Sequence, residues 1–217
     1  MWPFRTDELF FSPTYRQAYI SARPFPHLVL DGIFHDSALT EVAALFAKSE
    51  GWQEYEDRKR ANSQVQDHPF FAALNSQATL VLLESLTGMS GLVIDPTMRG
   101  GGLHAIPTGG KLGIHVDFNR HRDLPLKRRL NTILYLNREW RDEWQGHLTL
   151  TNRGGEERAR IAPVWNRWVI FEYGPEAWHG HPEPLACPEH VERRSAAIYY
   201  YEPLTAPLAF TGTNYAP

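Results

Sequence analysis

Apolar positions follow two different rhythms along this chain, and the change falls between Gly88 and Gly100. Before it, Leu39, Val42, Leu45 and Phe46 recur at three- and four-residue spacing behind Asp36, which predicts an amphipathic helix capped by that aspartate. Phe70, Leu74, Leu80, Val81, Leu82, Leu83 and Leu86 mark a further helical stretch, or two short ones, stopped near Gly88. His27 to Phe34 reads as a strand running into a turn. Residues 50–68 are polar without a clear period and read as a loop. After Gly100, short β-prone segments alternate with Gly, Pro and Asn. Strands are expected near 102–107, 111–117, 130–137, 146–151, 158–162, 167–173, 177–181 and 195–202, a spacing that suggests a sandwich, a barrel or a jelly roll.

The fold class is therefore mainly β with N-terminal helices. We read residues 1–90 as a mixed helical and strand support region and 91–217 as the β core, in one compact domain. Charged residues make up 22% of the chain and the net charge is −3, so nothing points to nucleic acid or a membrane surface. The single cysteine, Cys187, excludes an intramolecular disulfide framework and fits a reducing compartment. Met1 to Glu8 does not read as a secretory signal, and no apolar run approaches the ~20 residues that span a bilayer. A soluble, cytoplasmic protein is expected.

The candidate chemistry begins at Gly109-Gly110-Lys111-Leu112-Gly113-Ile114-His115-Val116-Asp117-Phe118. His115 and Asp117 sit two apart on an expected strand, so both side chains face the same way and can reach one ion. A second pair, His121 and Asp123, lies in a charged segment that reads as a solvated loop. A third ligand is offered by Trp178-His179-Gly180-His181-Pro182. His179 is preferred, because Gly180 leaves the backbone room and Pro182 constrains His181. Two histidines and one carboxylate can bind one face of an octahedral metal and leave the other open, the mark of a non-haem Fe(II) oxygenase. The basic residues of segment 118–129 either attract an anionic substrate or form a solvated loop.

From Gly109 to Tyr201 further motifs follow in order: Arg129 to Asn137, Trp140, Gly146-His147-Leu148-Thr149-Leu150, Ile161-Ala162-Pro163, Asn166 to Phe171, His179-Gly180 and Arg194-Ser195. This series resembles the 2-oxoglutarate/Fe(II)-dependent oxygenases, in their prolyl-hydroxylase-like branch, over roughly residues 95–203. The resemblance implies a double-stranded β-helix (jelly-roll) core. It implies that His115, Asp117 and His179 hold Fe(II), and that Arg194 on the last strand, helped by Tyr135, binds the distal carboxylate of 2-oxoglutarate. Arg193 is the neighbouring alternative, expected to face the other way. His104 and Asn131 are candidate pocket residues near the co-substrate, and Asn137 a turn residue. Fe(II), 2-oxoglutarate and O2 are the implied cofactors, with ascorbate as a further candidate. Two departures stand out: Gln145-Gly146 where the family shows Gly-Gly, and a Pro-rich insert between His179 and Arg194. Asp117 stands where related halogenases have a small residue.

The expected reaction is hydroxylation of an aliphatic C–H. The leading substrate is an amino-acid or peptidyl side chain, proline first, with a free metabolite or natural-product intermediate as the alternative. An open groove would suit a peptide; a pocket enclosed by residues 50–70 and 118–128 would suit a small molecule. A jelly-roll binding module without turnover is the reading from another class.

Overall fold

Two antiparallel sheets enclose a cavity, and four helices cover the outer face of the larger one. This is a computed structural model, and it describes residues 2–5, 13–48, 50, 52–55, 60–63, 65–156 and 158–216. The reading of the N-terminus at Met1 and Thr6 to Glu8, and of the loop at 51, 56–59 and 64, lies outside the described residues.

In chain order the elements are α1 (Pro13–Ser21), β1 (His27–Asp31), α2 (Asp36–Lys48), β2 (Gln53–Tyr55), β3 (Arg60–Ser63), α3 (Pro69–Leu74), α4 (Gln77–Thr87), β4 (Val93–Ile94), β5 (Gly102–Ile106), β6 (Leu112–Val116), β7 (Leu126–Tyr135), β8 (Leu148–Thr151), β9 (Arg158–Ile161), β10 (Arg167–Glu172), β11 (Trp178–His181), β12 (Arg193–Pro203) and β13 (Asn214–Tyr215). The major sheet runs β1-β10-β7-β12-β5-β3-β2, with β4 paired to β12; the minor sheet runs β13-β6-β11-β8-β9. Two antiparallel sheets with these crossovers form the jelly roll. No helix among the described residues is long and apolar enough to cross a membrane.

Strand alternation builds two cores from the major sheet. Along β12, Ala196, Ile198 and Tyr200 pack into the cluster shared with the helices, while Arg193, Ser195, Ala197 and Tyr199 line the cavity. Along β10, Trp168 and Ile170 face the helices and Val169 and Phe171 face inward. Both faces are buried, so these strands read as continuous apolar runs. On the helix side, Leu39, Val42 and Phe46 of α2 and Leu80, Leu83 and Leu86 of α4 fill the space. Ser76 caps α4, accepting from the Thr79 amide, and Gly88 ends it in the left-handed conformation, where glycine carries no Cβ penalty. Asp36 opens α2, but its carboxylate accepts from the Trp165 indole at 2.7 Å and from Arg138 at 3.0 Å, tying the helix to the end of β10.

The structure corrects the sequence reading in several places. The polar segment 50–68 is not simply a loop: β2 and β3 extend the major sheet beyond β5. Helix α1 and strands β4 and β13 were not expected. β7 begins at Leu126 rather than 130, so the basic segment after Asp117 is partly strand. His121 is not solvated. It is 1% exposed, its Nδ1 accepts from the amides of Asp123 and Leu124, and its Nε2 lies 3.2 Å from Thr97 Oγ1 and 3.5 Å from Asp95. That histidine ties the 118–128 turn to the segment before β5.

Candidate active site

The cavity between the sheets, about 140 Å³, contains all three residues of the expected triad. His115 and Asp117 come from β6 and its C-terminal end, and His179 from β11. His179 stands directly opposite His115 in the antiparallel ladder. Between this pair and the next, His181 opposite Leu112, β6 carries one extra residue, so a bulge lets both Leu112 and His115 face the cavity. The bulge also drives the β6 backbone against β11: a Cβ on Gly180 would lie 2.6 Å from the Gly113 carbonyl oxygen. Only glycine permits that approach.

One donor atom from each of His115, Asp117 and His179 lies within 4.8 Å of the others. Asp117 Oδ1 is 3.5 Å from His115 Nε2, and Oδ2 is 3.4 Å from His179 Nε2. The far nitrogen of each ring is spoken for. His115 Nδ1 is 2.8 Å from the Gly113 carbonyl and His179 Nδ1 is 3.0 Å from that of Ala177. A carbonyl only accepts, so each Nδ1 carries the proton and each Nε2 lone pair points to the centre, the usual device for orienting metal-binding imidazoles. Burial, then the neighbouring His179, lowers the pKa of His115. Burial opposes ionisation of Asp117, but the Arg128 guanidinium, together with His179 and the hydrogen bonds from His115 and His179, outweighs it and holds the carboxyl well below the ordinary range. A divalent metal binds imidazoles through a neutral ring nitrogen and a carboxyl group as carboxylate. The donor set fits Fe(II).

Asp117 is oriented from behind. Asn131 Nδ2 donates to Oδ2 at 2.9 Å, and Arg128 Nη1 lies 2.7 Å from the same oxygen. Arg128 is fully buried, its guanidinium 3.8 Å from the Phe118 ring centre and 3.7 Å from that of Tyr199. An arginine paired this way stacks on both aromatic faces while its charge is met by the carboxylate. Sequence reasoning left Arg128 in an undifferentiated basic run. A register shift selects it: Tyr200 faces Leu130 but Tyr201 faces Arg128, so the strand changes face at Arg129.

At another point of the cavity wall stand the two arginines that open β12. Arg194 does not enter the cavity. It points to the outer side of β12, 3.2 Å from Glu192 and over the Phe46 ring. Arg193 is the inward residue, 4% exposed. The two do face opposite ways, as alternation requires, but the inward face is the other one. Arg193 is held by its Nε, which donates to the Gly146 carbonyl at 2.7 Å, and by its Nη2, which donates to the Tyr135 hydroxyl at 3.0 Å. Gly146, at φ +75°, has no room for a Cβ, which would meet Leu185 and Arg193. Asn137 fixes the start of β12: its Oδ1 accepts from the Arg194 amide at 2.6 Å and its Nδ2 donates to the Arg194 carbonyl at 3.0 Å. Tyr135 is fully buried behind Arg193, and burial raises its pKa.

His104 and His181 both line the cavity, with Ser195 opposite His104 on β12. Of the segments expected to enclose a small molecule, Phe118 lines the cavity. The C-terminal segment does as well. Thr213 and Tyr215 line the cavity, and Tyr215, in β13, pairs with His115 and places its ring 5.3 Å away. Phe210 stacks 6.4 Å from Phe118. Nothing in the sequence after Pro203, where Pro207 and Gly212 interrupt any regular alternation, marks it as a strand.

A jelly roll with an internal two-histidine, one-carboxylate cluster and a buried arginine beside it defines a class, the mononuclear iron oxygenases that use an oxo-acid. The comparisons agree. Residues 101–201, which include all three ligand candidates, match the model of the 2OG-Fe(II) oxygenase superfamily. Over this segment, just under half of the chain, the sequence is that of a 2OG-Fe(II) oxygenase, and the fold and the site agree with a dioxygenase of that kind. Its fold is shared with a prolyl hydroxylase of Trichoplax adhaerens, solved in complex with a hypoxia-inducible factor oxygen degradation domain peptide fragment (18% identity, 87% of this chain and 88% of that one, TM-score 0.60). It is shared with a prolyl-4-hydroxylase of Pseudomonas putida (18%, 88% and 100%, TM-score 0.58). HygX of Streptomyces hygroscopicus, solved with nickel, 2-oxoglutarate and hygromycin B, is also similar (12%, 90% and 88%, TM-score 0.62). No curated protein gives a significant sequence match.

Proposed function

We propose that His115, Asp117 and His179 hold one ferrous ion and that Arg193, braced by Tyr135, binds the distal carboxylate of 2-oxoglutarate. The observation that carries this reading is the convergence of three donor atoms from two strands, each imidazole presenting its Nε2. When bound, iron and 2-oxoglutarate supply the oxidation of a C–H bond by O2, with the oxo-acid converted to succinate and CO2.

The chain's own residues do the positioning. Arg128 and Asn131 fix one oxygen of Asp117, leaving the other free to turn to the metal. Arg193 offers a planar fork suited to a carboxylate, and the Gly146 carbonyl and Tyr135 hydroxyl set its direction. Ile133, Leu148 and Phe171 form an apolar wall that keeps water from the reacting carbon. His104 and Ser195 are placed to hydrogen-bond co-substrate or substrate.

The substrate is an aliphatic carbon of an amino acid or peptidyl side chain, proline first, a choice supported by the prolyl hydroxylases among the structural neighbours. A second reading, a free small molecule, is favoured by the C-terminal segment, whose Thr213 and Tyr215 complete the cavity wall, and by the likeness to HygX. Succinate release across a panel of prolyl peptides, free amino acids and small metabolites tests both. Stimulation by a prolyl peptide supports the first and stimulation by small molecules alone the second. Turnover undiminished in His115→Ala contradicts the ligand assignment.

A further inference from the structure

The outer face of the minor sheet carries a cavity of about 390 Å³, larger than the one between the sheets. Its position follows from alternation. Ile114 and Trp178 each precede a ligand histidine and point the opposite way, and Thr149 and Thr151 alternate with the inward Leu148 and Leu150. We propose that this cavity is a second binding site, for a small organic anion with an apolar body.

Four observations carry the assignment. Ile114 and Trp178 make an apolar floor. Trp178 is only 7% exposed and its indole N–H has no acceptor among the described residues; a buried donor of this kind is a cost that an acceptor on a ligand removes. Among the described lining residues the wall carries Arg153, Arg158 and Arg160 and one carboxylate, Glu183. Arg158 is braced, its Nε donating to the Gly155 carbonyl at 2.7 Å, which leaves its terminal nitrogens for other partners. The arginines and the indole present donors, so the complementary ligand is rich in acceptors, a carboxylate or a phosphate. The cavity's volume lies within the ~300–1,000 Å³ range of small-molecule sites. The inference stands apart from the metal site.

Phenyl phosphate is a suitable probe. Titrated into the full chain, it should shift the Trp178 indole resonance in a ¹⁵N–¹H spectrum (assigned by its loss in Trp178→Phe) and the shift should saturate. Arg158→Ala/Arg160→Ala should weaken binding at least tenfold, and Arg193→Gln should leave it unchanged. Inorganic phosphate should bind more weakly, lacking the apolar body. No saturable shift up to about 10 mM, the same affinity in the double arginine variant, loss of the shift in Arg193→Gln, or equal affinity for inorganic phosphate would each overturn the proposal.

Discussion

His179 and His115 face each other across an antiparallel pair, their ring centres 4.4 Å apart. The relation depends on Gly180, whose Cα hydrogen is all that separates β11 from the bulged backbone of β6. Gly180→Ala should force the strands apart, costing roughly 1–3 kcal/mol of stability as overpacking does. It should lower metal affinity while the far edge of the jelly roll, β8 with β9, keeps its structure. Thermal melts and metal titrations of the same variant check both effects.

Arg193 and Arg194 are adjacent but have different surroundings, so their variants should separate cleanly. Arg193→Gln removes a buried charge-assisted donor, a loss of about 2–5 kcal/mol, and should weaken 2-oxoglutarate binding by ~30-fold or more. Arg194→Gln breaks a half-exposed pair with Glu192, worth under about 1 kcal/mol, and a contact over the Phe46 ring, both outside the cavity, and should leave the co-substrate affinity within about twofold. Calorimetric titration of 2-oxoglutarate into the metal-loaded variants decides between the two arginines. Tyr135→Phe should fall between them.

Gln145 occupies φ 60°, ψ −147°, a region that normally admits glycine alone and costs other residues about 1–3 kcal/mol. It stands where the family shows the first glycine of a pair. Gln145→Gly should therefore raise stability, by about 1 kcal/mol after the added freedom of the unfolded chain is subtracted. For a chain of this length that is a rise of about 2–4 °C in Tm. A lower Tm would mean that the long contact from Arg160 to the Gln145 side chain, 3.4 Å, outweighs the strain.

Glu202 joins Lys127 and Arg129 across the β7–β12 pair. Burial works against its ionisation, but hydrogen bonds from Lys127 and Arg129 win and lower its pKa. A depressed carboxyl binds its proton less tightly when folded, so its stabilisation is present above the unfolded pKa and is lost as pH falls through the folded one. Glu202→Gln should cost under about 1 kcal/mol at neutral pH, since the cluster is partly solvated. The gap to the parent protein should close in acid below the usual carboxylate range. Denaturant melts across that range measure it.

How much of this was legible in the sequence differs from residue to residue. That His115 and Asp117 share a face could be read because strand side chains repeat every second residue, and it is His179, followed by Gly180, that the ladder sets beside them. Arg193 could not be chosen over Arg194, because β12 is buried on both faces and its sequence carries no polar side to set the register. Arg128 was hidden for a different reason: a register shift at Tyr200 and Tyr201 changes which arginine faces inward, and such shifts leave no mark in periodicity. His121 looked solvated among charged neighbours, yet two backbone amides and Asp95 supply what a buried imidazole needs. The pairing of β3 with β5 and of β13 with β6 comes from edge hydrogen bonds open to almost any side chain, so short polar strands there escaped the pattern.

Anaerobic titration of Fe(II) into the full chain in the presence of 2-oxoglutarate tests the account most directly. The expected result is one ion per chain with a visible charge-transfer band, present in the parent protein and absent in His179→Ala, whose far-ultraviolet circular dichroism should remain that of the parent. A parent protein that develops no band, or a His179→Ala variant that keeps it, would contradict the three-residue iron centre.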